Sequence, residues 1–276
     1  MSLFVQTNVA SLEAQNAFAT NEVKLNKTYQ QLSTGYKINS AGDDAAGLGI
    51  ATRMTAQVDS YSTASSNAND AISMTQTADG GAGQISDILD RLRQLAVEGS
   101  NGTMSAADSS NLNTEFQAQL TEIDQIANTT NFNGVNVLAG ASATISFQVG
   151  INDTVNDQVG VAFGGVGTSS LGLTGVDVSD QLDSQNAITT IDAAINTLNT
   201  TRAGFGAAED QFQSIVSNLA SISTNTSAAL SQFQDVDVAA ATAQLSQEQV
   251  LTQAGESVLA QANQTPQLAE NLIQGH

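Results

Sequence analysis

A long heptad stripe of apolar residues runs through the second half of the chain, between Ile188 and Phe233. Steps of three and four residues alternate along it, and 10 of its 14 positions are apolar. This period is typical of a helix that packs along its whole length against other helices. Such a helix would extend for about 70 Å, which exceeds the size of an ordinary compact domain. The stripe consists of Ile188, Ile191, Ile195, Leu198, Arg202, Phe205, Glu209, Phe212, Val216, Leu219, Ser223, Thr226, Leu230 and Phe233.

Three shorter apolar stripes in the first half of the chain supply partners for this helix. We expect the glycine cluster at residues 80–83 to punctuate the backbone between the first two stripes. Residues 98–108, EGSNGTMSAAD, predict a turn and the start of another helix. Three long helices packed side by side follow from this pattern. The stripes contain Met54, Val58, Tyr61, Ala68 and Ile72, then Ile85, Leu89, Leu92 and Ala96, and finally Leu112, Phe116, Leu120, Ile123 and Ala127.

The middle of the chain changes character, because Gly, Val, Thr and Asn dominate residues 134–175. Residues 144–150 and 158–163 are rich in β-formers, and the turn-forming run INDTVND separates them. We therefore predict a small β-hairpin inserted between two helical halves.

The two ends of the chain are amphipathic, but neither has a complete apolar core of its own. We expect them to pair, which makes the chain a hairpin with its middle at the tip. Isolated helices are marginal in water, so such ends need partners. The apolar residues of the two ends are Leu3, Val9, Leu12, Phe18, Leu25, Tyr29 and Leu32, and Val236, Leu245, Leu251, Ala254, Val258, Leu268 and Leu272.

The predicted fold is mainly α: a long antiparallel coiled-coil helical bundle with paired N- and C-terminal helices and a small β-hairpin region. Residues 1–43 with 235–276 are expected to form a terminal coiled-coil domain, and residues 44–234 a helical domain with the hairpin insert. We name as the assembly seam a set of apolar residues expected to pack when the ends find partners. The assembly seam consists of Leu12, Leu25, Leu32, Phe212, Leu219, Leu251 and Val258.

The charge of the chain restricts its partners. With 27 acidic and 7 basic residues, the net charge is −20. Nucleic-acid binding is disfavoured, because it requires cations that displace counterions from phosphate. An anionic membrane surface is disfavoured for the same reason. No stretch is long and apolar enough to predict a membrane span, and the start of the chain does not resemble a cleaved secretory signal.

Catalytic and metal-binding chemistry is poorly supplied. The chain has no cysteine, and its one histidine is the last residue, His276. Thiol chemistry, a His-based triad and a zinc site are therefore not expected, and we predict neither an enzyme nor a cofactor. Asp43 and Asp44 could serve as paired carboxylates, but acids at a helix start usually cap free amides. Asp153 and Asp157 could bind a cation, but a turn-forming cluster is favoured.

Three arginines stand out in this acidic chain. Arg91 and Arg93 would form local ion pairs with acids such as Asp87 and Asp90, or a recognition patch. Arg202 lies in the heptad stripe, and Glu209 follows one heptad later, so an ion pair along the stripe is expected.

Several segments resemble bacterial flagellins, in the same order along the chain. Residues 31–51, QLSTGYKINSAGDDAAGLGIA, closely resemble the N-terminal signature of that family. Further resemblance extends nearly to the C-terminus. It is carried by DRLRQLAVEGSNGT (90–103), EIDQIANTTNFNGVNVLAG (122–140), SFQVGINDT (146–154), LGL (171–173), TRAGFGAAEDQFQSIVSNL (201–219) and VLTQAGESVLAQANQTPQ (250–267).

This resemblance implies a structural subunit that assembles with copies of itself into the flagellar filament for swimming motility. It implies terminal helices in an inner tube, and an outer helical domain with a β-hairpin and without large outer additions. Implied partners are a flagellar export chaperone, the filament cap and the hook–filament junction proteins, with type III export to the cell exterior. An innate immune receptor is a further implied partner, and its key family contacts match Arg91, Leu95 and Glu115. The alternative function is a hook–filament junction protein, which shares the terminal helices.

Overall fold

The computed structural model describes residues 7–140 and 143–274, with side chains described as far as residue 264. Its elements confirm the predicted mainly α fold with a small β-hairpin region and paired terminal helices. The helices in this part of the chain are α1 (Val9–Thr34), α2 (Ala45–Gly99), α3 (Ala106–Thr129), α4 (Gln181–Gln234) and α5 (Val238–Gln274). The strands are β1 (Asn131–Phe132), β2 (Val135–Asn136), β3 (Ala143–Gln148) and β4 (Gln158–Phe163).

The chain divides into two compact units. The terminal unit comprises Met1–Ala56 and Asn225–His276, and the central unit comprises Gln57–Thr224. Helices α2 and α4 each contribute residues to both units. The terminal unit contains the contact between α1 and α5, which run antiparallel, since Ser11 contacts Asn263 whereas Tyr29 contacts Gln249.

The core of the central unit lies between its helices and the hairpin of β3 and β4. These strands pair antiparallel with Thr144 opposite Ala162. Alternate residues of β4 are buried, as expected for a strand with one face on a core. Phe147 of β3 packs edge-to-face on Phe212 of α4, with ring centroids 5.5 Å apart. Phe163 of β4 stacks on Phe205 of α4, at 5.7 Å.

The glycine cluster at residues 80–83 does not interrupt the helix, which corrects the expectation of a break there. Helix α2 continues through it to Gly99. Gly81 instead permits a close approach, because a Cβ at this position would lie 2.7 Å from Leu138 Cδ1 and 2.8 Å from Thr130 Oγ1. The loop after α3 therefore packs directly on the backbone of α2, and this packing offsets the low helix propensity of glycine.

The acidic residues at the helix starts act as caps. Gly47 N–H donates to Asp44 Oδ1 at 2.9 Å, one residue before α2 begins. Asp43 Oδ2 accepts from Ser40 N–H at 3.0 Å and from Asn39 N–H at 3.2 Å. The run INDTVND forms the predicted turn between β3 and β4, where Thr154 Oγ1 donates to Asp157 Oδ2.

Candidate assembly surface

The α1–α5 pair has a heptad stripe on each helix, but polar and small residues fill much of it. Its less exposed positions recur at steps of three and four. The fully buried residues among them are Ser11, Thr28, Ala241 and Glu248, and none of these is a large apolar residue. The stripe comprises Ser11, Ala14, Phe18, Asn21, Leu25, Thr28 and Leu32 of α1, and Ala241, Leu245, Glu248, Thr252, Gly255, Leu259 and Ala262 of α5.

Side-chain hydrogen bonds connect the two helices across this stripe. Asn21 Nδ2 donates to the Glu248 carbonyl oxygen at 2.9 Å and to Thr252 Oγ1 at 2.8 Å. Ser11 Oγ donates to Asn263 Oδ1 at 2.8 Å. Polar pairs in a helix interface fix its register but stabilise it less than apolar packing. The interior of the terminal pair is therefore specified rather than strongly stabilised.

Glu248 is the most costly member of this interior. Its side chain is only 4% exposed, Oε1 accepts from Gln244 Nε2 at 3.0 Å, and Oε2 is buried without a hydrogen-bond partner. A buried acceptor without a partner destabilises a fold by about 1–3 kcal/mol. The pair thus contains a built-in weakness at the centre of its stripe.

The outer surface of the pair shows the opposite distribution. Leu12 is 51% exposed, Leu251 49% and Val258 57%. Such a density of exposed large apolar side chains marks an interaction surface. Other exposed apolar residues of α1 and α5 are Val9, Val23, Tyr29, Val238 and Val250.

Part of this surface forms an apolar groove of about 620 Å³. Gly255 lies in its floor, where an added Cβ would approach Phe18 Cδ2 to 3.2 Å. Residues from both helices line it: Ala14, Asn16, Ala17, Phe18, Thr20, Asn21, Lys24, Leu251, Ala254, Gly255 and Val258.

The residues of the assembly seam occupy three different environments. Leu12, Leu251 and Val258 lie on the exposed surface of the pair, as described above. Leu25 and Leu32 are half-buried in the stripe between α1 and α5. Phe212 and Leu219 are buried in α4 within the central unit. The structure therefore does not bring all seven residues together.

Sequence reasoning missed the polar interior of the terminal pair. Asn21 and Thr28 follow Leu25 and Leu32 in the same three-four phase, and Glu248 follows Leu245. That phase was the available signal. It was hidden because the larger side chains on the opposite surface dominate the apolar pattern.

The loop between α1 and α2 is tied to the start of α5 and to α1. Lys37 N–H donates to the Gln234 carbonyl at 2.7 Å, and Val236 N–H donates to the Gly35 carbonyl at 2.9 Å. Lys27 Nζ lies 2.7 Å from Asp43 Oδ1. This ammonium group, together with the hydroxyl of Ser40, lowers the pKa of Asp43 from its usual 3.8 to about 2.

The arginines of the central unit pair across helices, which corrects the predicted local pairs. Arg91 Nη2 lies 2.6 Å from Glu115 Oε1 on α3, not beside Asp87 or Asp90. Arg93 Nε lies 2.6 Å from Asp192 Oδ1 on α4. The hydrogen bond between them raises the pKa of Arg93 and lowers the pKa of Asp192.

The predicted ion pair between Arg202 and Glu209 does not form. Arg202 Nε lies 2.8 Å from Asp79 Oδ1, and this hydrogen bond raises the pKa of Arg202. Glu209 Oε1 accepts from Gln76 Nε2 at 2.6 Å. Both partners lie on α2, so the polar residues of the α4 stripe face another helix rather than each other.

The three residues matched to receptor contacts are not equally accessible. Arg91 and Glu115 are exposed and joined by their ion pair. Leu95 is only 1% exposed, because it belongs to the core of the central unit. The surface at this point is therefore formed by Arg91 and Glu115, with Leu95 beneath it.

Neither a metal site nor a membrane span is found in the described part of the chain. It contains no group of three or more His, Cys, Asp or Glu side chains placed to hold a metal ion. None of its helices is both long and apolar enough to cross a bilayer.

Comparison with known proteins identifies the family. The model of the bacterial flagellin N-terminal helical region matches residues 5–143, and that of the C-terminal helical region matches residues 188–273. Flagellin of Listeria monocytogenes is 36% identical, with 98% of this chain and 99% of that protein covered. Flagellin of Bacillus subtilis is 35% identical, with the same coverage. The crystal structure of Bacillus cereus flagellin is 34% identical and covers 60% of this chain and 94% of its own, with a TM-score of 0.49.

These matches place the chain in the class of helical structural proteins that polymerise into filaments. It belongs to the bacterial flagellin family, and it is a subunit of the bacterial flagellar filament, which drives swimming. Nothing in the comparisons favours the alternative of a hook–filament junction protein.

Proposed function

We propose that copies of this chain polymerise chiefly through the α1–α5 pair, whose exposed apolar residues become subunit contacts. The observation that carries this proposal is the reversed distribution of side chains: polar residues are buried in the pair and large apolar residues are exposed. In this assignment, residues 1–43 with 235–276 form the inner core of the filament. Residues 44–234 form the outer domain.

The energetics of the pair support coupling of its folding to assembly. Burying one exposed Leu or Val side chain contributes about 1.5–3 kcal/mol. The interior of the pair lacks a fully buried large apolar side chain, and isolated helices are marginal in water. We infer that the pair is largely unfolded in the free subunit. Contacts with neighbouring copies then compensate for the ordering entropy.

The proposed partners follow from family membership and from the same surface. A cytoplasmic export chaperone would cover the exposed apolar residues of α5 before assembly, and a distal cap would receive arriving subunits. The hook–filament junction proteins would contact the first subunits. Export through the type III apparatus would place the filament outside the cell.

The assembly proposal is tested by a matched pair of substitutions. Val258→Gln changes an exposed valine of the terminal unit, and Val97→Gln changes a similarly exposed valine of the central unit. We expect Val258→Gln to raise the critical concentration for polymerisation about tenfold or more, as loss of one buried valine implies. Val97→Gln should leave it nearly unchanged. Sedimentation of polymer measures both, and an equal effect of the two variants would refute the proposal.

We also propose that an innate immune receptor contacts the free subunit at Arg91 and Glu115. The support is an exposed ion pair at positions that match the family's receptor contacts. Leu95 would act from beneath by holding the helix surface in place. Arg91→Ala should weaken receptor binding while circular dichroism stays unchanged, because exposed ion pairs contribute only about 0–1 kcal/mol. Arg93→Ala is the matched control, and equal binding by both variants would exclude the assigned site.

A further inference from the structure

Two steps in the chain join asparagine to glycine, at Asn101–Gly102 and Asn133–Gly134. In such a step the backbone nitrogen of glycine can attack the side-chain amide carbon of asparagine, because glycine has no Cβ to obstruct it. A new C–N bond closes a five-membered imide, and the amide nitrogen leaves as ammonia. Solvent water then opens the ring at either carbonyl and gives aspartate or isoaspartate. All four residues are exposed, so solvent reaches both steps.

The geometry at Asn101 favours this attack. Asn101 has no positive φ, and its Oδ1 accepts from Thr103 N–H at 3.3 Å. That hydrogen bond folds the carboxamide over Gly102 and brings the amide carbon towards the glycine nitrogen. The same N–H would stabilise the negative charge that develops on Oδ1 during the attack. Gly102 N–H itself donates no hydrogen bond within the described part of the chain, so it is free to react.

The geometry at Asn133 opposes it. Asn133 has φ +49° and Gly134 has φ +79°, and they form the two-residue turn between β1 and β2. In the left-handed region, with ψ about +47°, the nitrogen of the next residue lies nearly opposite Cβ. The amide carbon of Asn133 therefore cannot reach Gly134 N until the turn opens. Pairing of Phe132 with Val135 holds the turn closed.

We propose that Asn101 is a site of spontaneous deamidation in the folded protein and that Asn133 is protected by its turn. Each event adds one negative charge to the loop between α2 and α3. When isoaspartate forms, the loop also gains one main-chain carbon. The altered backbone lies four residues before Ser105, whose side chain and that of Asp108 form the capping box of α3.

The test compares the two sites within one molecule. Purified full-length subunit is held for several days at mildly alkaline pH, then digested, and each peptide is analysed by mass for conversion of amide to acid. A parallel sample is fully unfolded in guanidinium chloride. We expect Asn101 to react at least about tenfold faster than Asn133 in the folded protein, because each 1.4 kcal/mol needed to open a turn slows a reaction by that factor. In the unfolded sample the two rates should converge.

A variant separates the chemistry from nearby effects. Gly102→Ala is accommodated, since its Cβ would lie 3.4 Å or more from the Gln181 side chain and Gly102 has no positive φ. It should slow conversion at Asn101 and leave Asn133 unaffected. Equal rates at the two sites in the folded protein would overturn the proposal, as would absence of conversion at Asn101. A rate ratio that persists in guanidinium chloride would also overturn it, because the folded geometry would then not be the cause.

Discussion

The central and terminal units use the same three-four spacing of helical positions but fill it with different residues. In the central unit, Phe205, Phe212 and Leu219 of α4 are buried. In the α1–α5 pair, the corresponding buried positions include Thr28 and Glu248. Heptad spacing therefore determines which helix face is covered, whereas the residues in it determine whether the covered face stabilises the subunit by itself.

This difference separates two tasks along one chain. The central unit has a continuous apolar core that includes the hairpin strands, so it can fold alone. The terminal pair keeps its larger apolar residues outside, where only another molecule can cover them. A subunit that polymerises through its terminal pair would thus be prevented from completing its folding prematurely.

The strongest way to break the comparison is to delete the terminal pair. Removal of residues 1–43 and 235–276 should abolish polymerisation completely and leave a soluble, helical monomer. Sedimentation and circular dichroism measure the two properties. Filaments formed by the truncated protein would show that the central unit assembles without the pair.

A pair of leucine substitutions should distinguish the two units energetically. Leu219→Ala should reduce the free energy of unfolding of the subunit by about 2–5 kcal/mol, because it leaves a cavity in the central core. Leu251→Ala changes a half-exposed residue and should alter that free energy by no more than about 0.5 kcal/mol. Denaturant unfolding followed by circular dichroism measures both. Similar losses would mean that the terminal pair is already part of the folded core.

Replacing the buried acid should make the terminal pair resemble the central unit. Glu248→Leu removes a buried acceptor without a partner, and it should stabilise the α1–α5 pair of the free subunit by about 1–3 kcal/mol. Slower hydrogen exchange of α1 and α5 amides would report this gain. Glu256→Leu, at an exposed position of α5, is the control. The same change in both variants would indicate a general effect of leucine on helix α5.

The ion pair of Lys27 with Asp43 should give the terminal unit a smaller, acid-sensitive contribution. Folding lowers the pKa of Asp43 from 3.8 to about 2, so the pair's contribution is complete above pH 3.8 and disappears as the pH falls through about 2. Asp43→Asn should therefore raise the critical concentration at neutral pH. Its difference from the unmodified protein should narrow below pH 3.8.

The control for this prediction is Lys27→Met, which should give the same loss at neutral pH. The double variant should lose little more than either single one, since both remove one interaction. A difference between Asp43→Asn and the unmodified protein that does not vary with pH would assign the effect to another contact.

Much of this architecture could be predicted from local patterns. The α4 stripe, the strands around INDTVND and the capping role of Asp44 all depend on residues close in sequence. The ion pairs of Arg91, Arg93 and Arg202 could not be predicted, because their partners lie on other helices. The continuity of α2 through Gly81 was missed because it depends on packing by Thr130 and Leu138. The orientation of the terminal pair was missed because an apolar stripe does not show whether it faces its own chain or another copy.

Hydrogen exchange of the free subunit and of the filament, resolved by segment, tests the central claim most directly. Amides of α3 and of the α4 stretch around Phe205 should be protected in both states. Amides of α1 and α5 should exchange rapidly in the free subunit and become protected in the filament. Protection of α1 and α5 in the free subunit equal to that of α3 would contradict the account, because the terminal pair would then be stable without neighbouring copies.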